Sequence, residues 1–285
     1  MIVKEIDRIK RINLHLHTNV SDGSFSPVQL VSRARQMGLD LISITDHDTC
    51  DAYYLLPDEL GDLRIIPGME ISSQLEGHDV HILALGYDLQ NAELKELTEM
   101  YLIGRRERAI VMIDKLSDLG IDISLEEVVA VAGSRELIVR PHIAHVLVSR
   151  GYCSTKNEAF DKYIGNFKPA FAPKPEVSVT SAIDVIHAAG GFAVIAHPGK
   201  LAKPEFLDQI IAMGVDGLEV WHPDHYHFEV EEFTSKAREH GLYMTAGSDF
   251  HGENDRHNRF DVVPASEEVL ASVNKLWREY QCRVN

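Results

Sequence analysis

Seven short apolar runs alternate with helix-like stretches along this chain, and that alternation restricts the fold more than any other feature. In the first run Ile12, Leu14 and Leu16 alternate with Asn13, His15 and His17, the period of a strand with two distinct faces. Pro27 to Met37 follows as a helix, with Ser26 as its N-cap and Gly38 just past its end. LDLISIT (39–45), RIIPGMEIS (64–72), DVHILALGY (79–87), FAVIAHP (192–198), VDGLEVWHP (215–223) and YMTAGSDFH (243–251) read as further strands. Strands separated by helices point to a parallel sheet or barrel. Seven such units predict an α/β fold of the (β/α)7 barrel type, whose reactive groups gather at the C-terminal ends of the strands.

The middle of the chain departs from this rhythm. From about Asn91 to Gly165 only helical patterns occur. Glu93 to Leu119 is one long amphipathic stretch ending at Gly120. Ser124 with Glu127, and Thr155 with Glu158, form capping boxes, and Pro141 suits the first turn of another helix. The expected organisation is a barrel formed by 1–90 and 175–285, with 91–174 as an inserted helical subdomain. A chain of 285 residues is long enough for both.

A formal net charge of −16 argues against a broad surface for DNA, because phosphates would be repelled overall, though not against one local nucleotide site. Cys50, Cys153 and Cys282 are widely spaced and include no CxxC pair, which fits a reducing cytoplasm. MIVKEIDRIKR lacks the apolar core of a secretory signal, and no apolar run approaches the roughly 20 residues that span a bilayer.

The 15 histidines are the anomaly, and several stand at strand ends beside carboxylates. His15 and His17 end the first run, Asp46 and His47 the second, and Glu70 the third. His81 lies in the fourth, His197 ends the fifth, and Asp249 and His251 end the seventh; Asp22 follows the first in a turn. Two residues apart on a strand, His15 and His17 share one face and can reach one ion, as can Asp249 and His251. Imidazole with carboxylate suits zinc, manganese or iron. A carboxylate such as Glu70 can bridge two ions, the arrangement used in phosphoryl-oxygen chemistry. A lone histidine at a strand end is ordinarily structural; the recurrence at four or more strand ends carries the metal reading.

INLHLHTNVSDGSFSP, SITDHDT, IPGMEIS, GHDVHILALGY, AHP and GSDFHG together resemble the PHP (polymerase and histidinol phosphatase) family, over roughly 12–88 and 178–255. VRPHIAHVLVSRG and GNFKPAF resemble the helical insert of the branch with nucleotide 3′,5′-bisphosphate phosphatases and a 5′–3′ exoribonuclease. The resemblance implies a distorted PHP barrel with two to three divalent ions (Mn, Fe or Zn). One ion would be held by His15, His17, Glu70 and Asp249. A second would share Glu70 with His81 and His197, and a third would take Asp22, His47 and His251. Asp46 would orient a neighbour. Arg140 and Lys168 would clamp phosphate. His142 either caps its helix or faces the site. His222 and His225, after a barrel strand, are candidates for an acid and a substrate contact. His227 continues that pattern, whereas His78, His145, His187, His240 and His257 carry no signal. After TDH the family runs into a small, glycine-containing helix start; TCDAYYLLPDEL here puts that helix in doubt.

The implied activity is hydrolysis of a terminal phosphate ester of a nucleotide, such as a 3′,5′-bisphosphate, by metal-activated water. The alternatives are 5′–3′ trimming of short RNA, a histidinol-phosphate-type phosphatase, and a non-catalytic metal-binding module. A C–N hydrolase bridged by carbamylated lysine is disfavoured by Glu70.

Overall fold

Each predicted strand forms, but the third divides and the fourth runs backwards. The computed structural model describes residues 9–57, 59–132, 137–253, 258–260 and 265–284. Strand β1 is Ile12–Asn13, helix α1 Pro27–Gln36 and β2 Leu41–Ile42. The third run splits at Pro67 into β3 (Arg64–Ile65), paired with β2, and β4 (Gly68–Leu75), paired with β5 (His78–Leu85). Proline has no N–H for a ladder, so the break falls there. The second half of the chain adds β6 (Val177–Ser178), α6 (Val179–Ala188), β7 (Phe192–Ile195) and α7 (Glu205–Ala212). Strand β8 (Gly217–Trp221), α8 (His227–Glu239), β9 (Tyr243–Ala246) and α9 (Glu267–Val284) follow.

The strands pair in the orders β1-β2-β3 and β6-β4-β5-β7-β8-β9. Both seams between these sheets are bonded. The Leu14 N–H donates to Ala246 O at 3.0 Å, and Leu16 bridges Phe250. Across the other seam the Glu70 N–H donates to Thr45 O at 3.2 Å, and His47 bridges Glu70. The result is a closed, distorted barrel. β4 and β5 form an antiparallel hairpin, and β5 is also antiparallel to β7, so an all-parallel barrel is corrected here. Reversal puts the beginning of β5 at the rim where the other strands end. His81, opposite Ser72, thereby joins ligands from strand ends.

The barrel core contains Leu14, Ile71, Ile82, Leu83, Val194 and Leu218, all fully buried. Helix α2 (Ala92–Asp118) begins against it through Leu94, Leu97 and Tyr101. The far half of α2 belongs to another apolar cluster, where Ala109, Met112 and Leu116 meet residues of α3 (Leu125–Ala132) and α4 (Arg140–Ser149). At 27 residues α2 is about 40 Å long and spans both cores. The chain returning to the barrel crosses α2 at Gly104, where a Cβ would fall 2.7 Å from the Pro175 ring. The predicted box forms at Ser124–Glu127; at Thr155, which caps α5 (Lys156–Ala159), the hydroxyl accepts from the Glu158 N–H, but the Glu158 carboxylate accepts from the Ser154 N–H and the box does not close.

The doubtful segment after TDH is a 3₁₀ turn, Asp51–Leu55. It turns Tyr53 inward, where its hydroxyl donates to Ile44 O at 2.6 Å and accepts from the Gly68 N–H at 2.7 Å. This ties β2 to β4 beneath the rim. No helix among the described residues is long and apolar enough to cross a membrane.

Candidate metal centre

Glu70 stands at the centre of the rim, 1 % exposed, with five imidazoles around its two oxygens. Oε2 lies 3.3 Å from His15 Nε2, 3.1 Å from His17 Nε2 and 3.2 Å from His47 Nδ1. Oε1 lies 2.8 Å from His81 Nδ1 and 2.9 Å from His197 Nε2. Asp249 Oδ1 reaches His15 at 3.4 Å and His17 at 3.2 Å; Asp22 reaches His251 at 3.3 Å and His47 at 3.8 Å.

Three overlapping sets could each hold an ion: His15, His17, Glu70 and Asp249; His47, Glu70 and His81; and His17, Asp22, His47 and His251. All nine expected ligands are thus brought together, His197 through its contact with Glu70 Oε1. The grouping adds His47 to the second set and His17 to the third.

The donors fit divalent metal on an observation internal to the cluster. His15 Nε2, both His17 nitrogens, His47 Nδ1 and Glu70 Oε2 are buried and make no hydrogen bond of acceptable geometry among the described residues. Buried polar atoms are nearly always satisfied. Here they converge on shared points with lone pairs facing inward, which is what a cation requires.

Electrostatics agree. Burial alone would push Glu70 up, but His47, His81 and His15 outweigh it and hold the carboxyl well below the usual range. Burial would likewise lower His251, yet Asp22 and Asp249 raise it to about 10. Burial pushes His47 down to about 3 and His197 to about 4. Protons are thus divided unequally among neighbouring rings, as expected where positive charge is wanted in one place and imidazoles must share it.

The backbone is shaped for this cluster. Asp48, His197 and Asp249 have φ of 55°, 30° and 52°, conformations costing about 1–3 kcal/mol each and kept where surrounding contacts over-determine them. Asp46 accepts from the Thr18 N–H, the Thr18 hydroxyl and the Ser21 hydroxyl at 2.6–2.7 Å, so it fixes the loop that carries Asp22. Buried Asp48 accepts from the Ser72 N–H at 2.6 Å and pairs with the Arg105 guanidinium of α2. Removing one partner of such a buried pair costs about 3–5 kcal/mol.

Two supporting residues escaped the sequence reading. Glu219, wholly buried on β8, receives His15 Nδ1 at 3.1 Å and the His197 N–H at 2.7 Å. Burial would raise it, but His15 lowers it to about 2. Its signal was one of two acidic residues within VDGLEVWHP, the other being Asp216. Lys200 lies 3.1 Å from Asp249 Oδ2 and 3.2 Å from Asp224.

A cleft of about 200 Å³ opens on the cluster. Its lining joins Asp22, His47 and His81 to a wall of four cations, Arg105, Arg108, Arg140 and Lys174, with Asp79 beside Lys174. Arg140 lies within 5.5 Å of the Phe160 ring and donates to Asn166 Oδ1 at 2.8 Å. Burial, then Arg140 and Arg105, lower Arg108 to about 9, the mark of crowded cations. Arg140 thus lines the cleft beside the cluster. Lys168 is exposed and lines neither this cleft nor the neighbouring cavity, whereas Lys174 lines the cleft, 3.3 Å from Asp79 Oδ1. Arg105 and Arg108 sit three apart on one face of α2 within GRRERA, a pattern indistinguishable by sequence from a solvated helix face.

His142 fills both suggested roles: Nδ1 accepts from the Val139 N–H at 3.3 Å, capping α4, while the ring lines the neighbouring cavity. His222 is buried, with Nδ1 accepting from the Asp224 N–H and Nε2 3.4 Å from Asp249. His225 is not brought into the cleft. Its Nε2 accepts from the Gly199 N–H, its Nδ1 faces Val220 O at 3.2 Å, and its ring packs on Phe233. His227 is exposed beside Glu231. His187 pairs with Asp216, and His257 lies outside the described residues.

The chain matches the PHP domain over residues 13–139. It is 34% identical over 251 residues to a 5′–3′ exoribonuclease of Haemophilus influenzae, covering 85% of this chain and 90% of that one. It is 33% identical to a 3′,5′-nucleoside bisphosphate phosphatase of Chromobacterium violaceum, covering 96% and 97%. A solved structure from Bifidobacterium adolescentis, assigned as a metal-dependent phosphoesterase, superposes with a TM-score of 0.81 at 33% identity, covering 95% of this chain and 96% of that one. This chain belongs to the PHP family.

Proposed function

We propose that the chain, as a PHP-family phosphoester hydrolase, removes the terminal phosphate of a nucleotide that carries a second phosphate, such as a 3′,5′-bisphosphate. One observation carries this reading: the histidine–carboxylate cluster and a wall of four cations face each other across one cleft. A cluster of ions can take the scissile phosphate, and the cations suit a second anionic group beside it.

Two or three divalent ions (manganese, iron or zinc) would be held by His15, His17, Glu70 and Asp249, by Glu70, His81 and His197, and by Asp22, His47 and His251. When bound, such ions supply Lewis acidity and a water acidic enough to attack near neutral pH. The protein's residues set the rest. Glu219 holds the His15 ring in orientation, and Asp46 holds the loop of Asp22. Arg140 presents a planar fork to phosphate, with Arg108 and Lys174 adding charge. His222 accepts at Nδ1, so its neutral ring carries the proton on Nε2 and steadies Asp249. We take 91–174 as the inserted subdomain that furnishes the cationic wall. The thiols of Cys50, Cys153 and Cys282 suit a reducing cytoplasm.

A second reading, 5′–3′ hydrolysis of short RNA, is favoured by a further cavity on the far side of Asp22. Phosphate release should be measured with added manganese on adenosine 3′,5′-bisphosphate, AMP, histidinol phosphate and a 5′-phosphorylated RNA oligomer. Release from the bisphosphate but not AMP supports the first reading, and mononucleotides from RNA support the second. Turnover of histidinol phosphate alone, or of nothing at full metal content, overturns both.

A further inference from the structure

Segment 160–171 holds Arg140 in place, and its three phenylalanines divide. Phe160 and Phe171 turn inward, with ring centres 5.5 Å and 5.9 Å from the Arg140 guanidinium carbon, and Asn166 Oδ1 accepts from Arg140 Nη1 at 2.8 Å. Phe167, the next residue, is 99 % exposed. Its φ is 63°, in the left-handed region where the Cβ of a bulky residue crowds the following carbonyl. The segment around it is nonetheless fixed. The Gly165, Ala170 and Phe171 N–H groups donate to Phe160 O, Tyr163 O and Lys168 O, each at 2.9 Å. At Gly165 an added Cβ would fall 2.5 Å from Phe160 O, so the turn admits no side chain there. A single apolar side chain on a surface is ordinary. A phenylalanine at positive φ in a bonded turn is not, and neither burial nor backbone preference accounts for it. The neighbouring cleft serves anions: its cations suit phosphates, and the one phenyl ring in its described lining, Phe160, is taken up by Arg140.

We propose that Phe167 stacks on the base of the nucleotide whose phosphate Arg140 receives. This rests on the reading of the cleft as the site of a nucleotide phosphoesterase. A phosphate on the Arg140 fork leaves its base one sugar away, and Phe167 stands one residue, about 3.8 Å of chain, from the Asn166 that Arg140 bonds. Every base has a π-face, so the contact accepts any base, holds the larger purines better, and needs no hydrogen-bonding partner. A ring already fixed by its turn loses little freedom when the base arrives, and the backbone conformation is what presents it. The ring reaches neither the ions nor the bond that breaks. It therefore holds substrate and transition state alike, and its loss appears in KM and not in kcat.

Because the side chain is exposed, its replacement tests binding without threatening the fold. The experiment compares wild type, Phe167→Ala, Phe167→Gly and Phe167→Trp, loaded with manganese, on adenosine 3′,5′-bisphosphate, its uridine counterpart and the base-free 1-deoxyribose 3,5-bisphosphate. Phe167→Ala should raise KM on the adenosine compound about tenfold and on the uridine compound by less, with kcat within about twofold and the base-free compound unaffected. Phe167→Gly, which relieves the backbone, should lose as much as Phe167→Ala, assigning the effect to the ring. Phe167→Trp should stay near wild type, and its added fluorescence should be quenched as AMP is titrated in. Equal losses on base-bearing and base-free substrates, no loss on any of them, or no quenching overturns the inference while leaving the phosphoesterase reading intact. A changed oligomeric state in Phe167→Ala with unchanged kinetics assigns the ring to a protein contact and overturns it as well. Absence of wild-type turnover on every substrate overturns the phosphoesterase reading itself.

Discussion

The metal cluster and the cationic wall face each other, yet they are built by opposite means. The cluster draws on six barrel strands or the segments that follow them, and most of its ligands are separated by two residues or stand alone at a strand end. The wall draws on the middle of α2, the start of α4 and the returning segment at Lys174. The barrel fixes its ligands through a backbone bonded along both seams. The wall relies on side chains: Arg105 on Asp48, Arg108 on Ala172 O, and Arg140 on Asn166 and Phe160. Loss of a cluster residue should therefore remove metal and rate together, and loss of a wall residue should remove rate alone.

The sharpest test of that division is Glu70→Gln. It takes one ionised oxygen from the point that five imidazoles share, and kcat/KM should fall about 10³-fold or more with reduced bound metal. Full metal content with an unchanged rate would break the comparison at its centre. Arg140→Ala should lower kcat/KM on the bisphosphate about 100-fold, in line with about 1.5–3 kcal/mol for a charged hydrogen bond, while elemental analysis shows metal unchanged. Arg140→Lys should recover part of this, since charge returns without the fork. Glu219→Gln should weaken metal binding about 10–100-fold by loosening His15, read as a shifted metal titration. The wall has its own internal control. Lys174→Ala should cost about tenfold in kcat/KM, whereas Lys168→Ala should change it by less than about twofold, the ordinary result for an exposed side chain. Equal losses would restore the residue that the resemblance favoured.

The smallest effect concerns protons. His251 in the metal-free protein titrates at about 10, above the roughly 6.5 of an unfolded histidine. Its stabilisation is fully present below pH 6.5 and is lost as pH rises through 10, because the folded state then holds the extra proton. The melting temperature of metal-free protein should fall across that window, by about 2–4 °C for each 1 kcal/mol of linkage lost. Metal bound at Asp22, His47 and His251 must displace the proton. Calorimetry in two buffers of different ionisation enthalpy should accordingly show proton release at pH 7–8. Uptake instead of release would exclude His251 as a ligand.

The amino-acid pattern determined the barrel and brought the candidate ligands into view. Alternation with period two placed His15 beside His17 on one face, and the end of the last strand placed Asp249 at the barrel rim. Such signals are local, carried by neighbouring residues on one strand. The reversal of β5 was decided by tertiary pairing, because a hairpin turn at Glu76–Gly77 and a buried strand look alike in sequence whichever way the strand runs. The burial of Glu219, the place of Lys174 in the cleft, and the meeting of Arg105, Arg108 and Arg140 there are likewise visible only in three dimensions. Each depends on which distant segments come into contact, and a charged side chain on a helix or loop has the same local pattern whether it faces solvent or a phosphate.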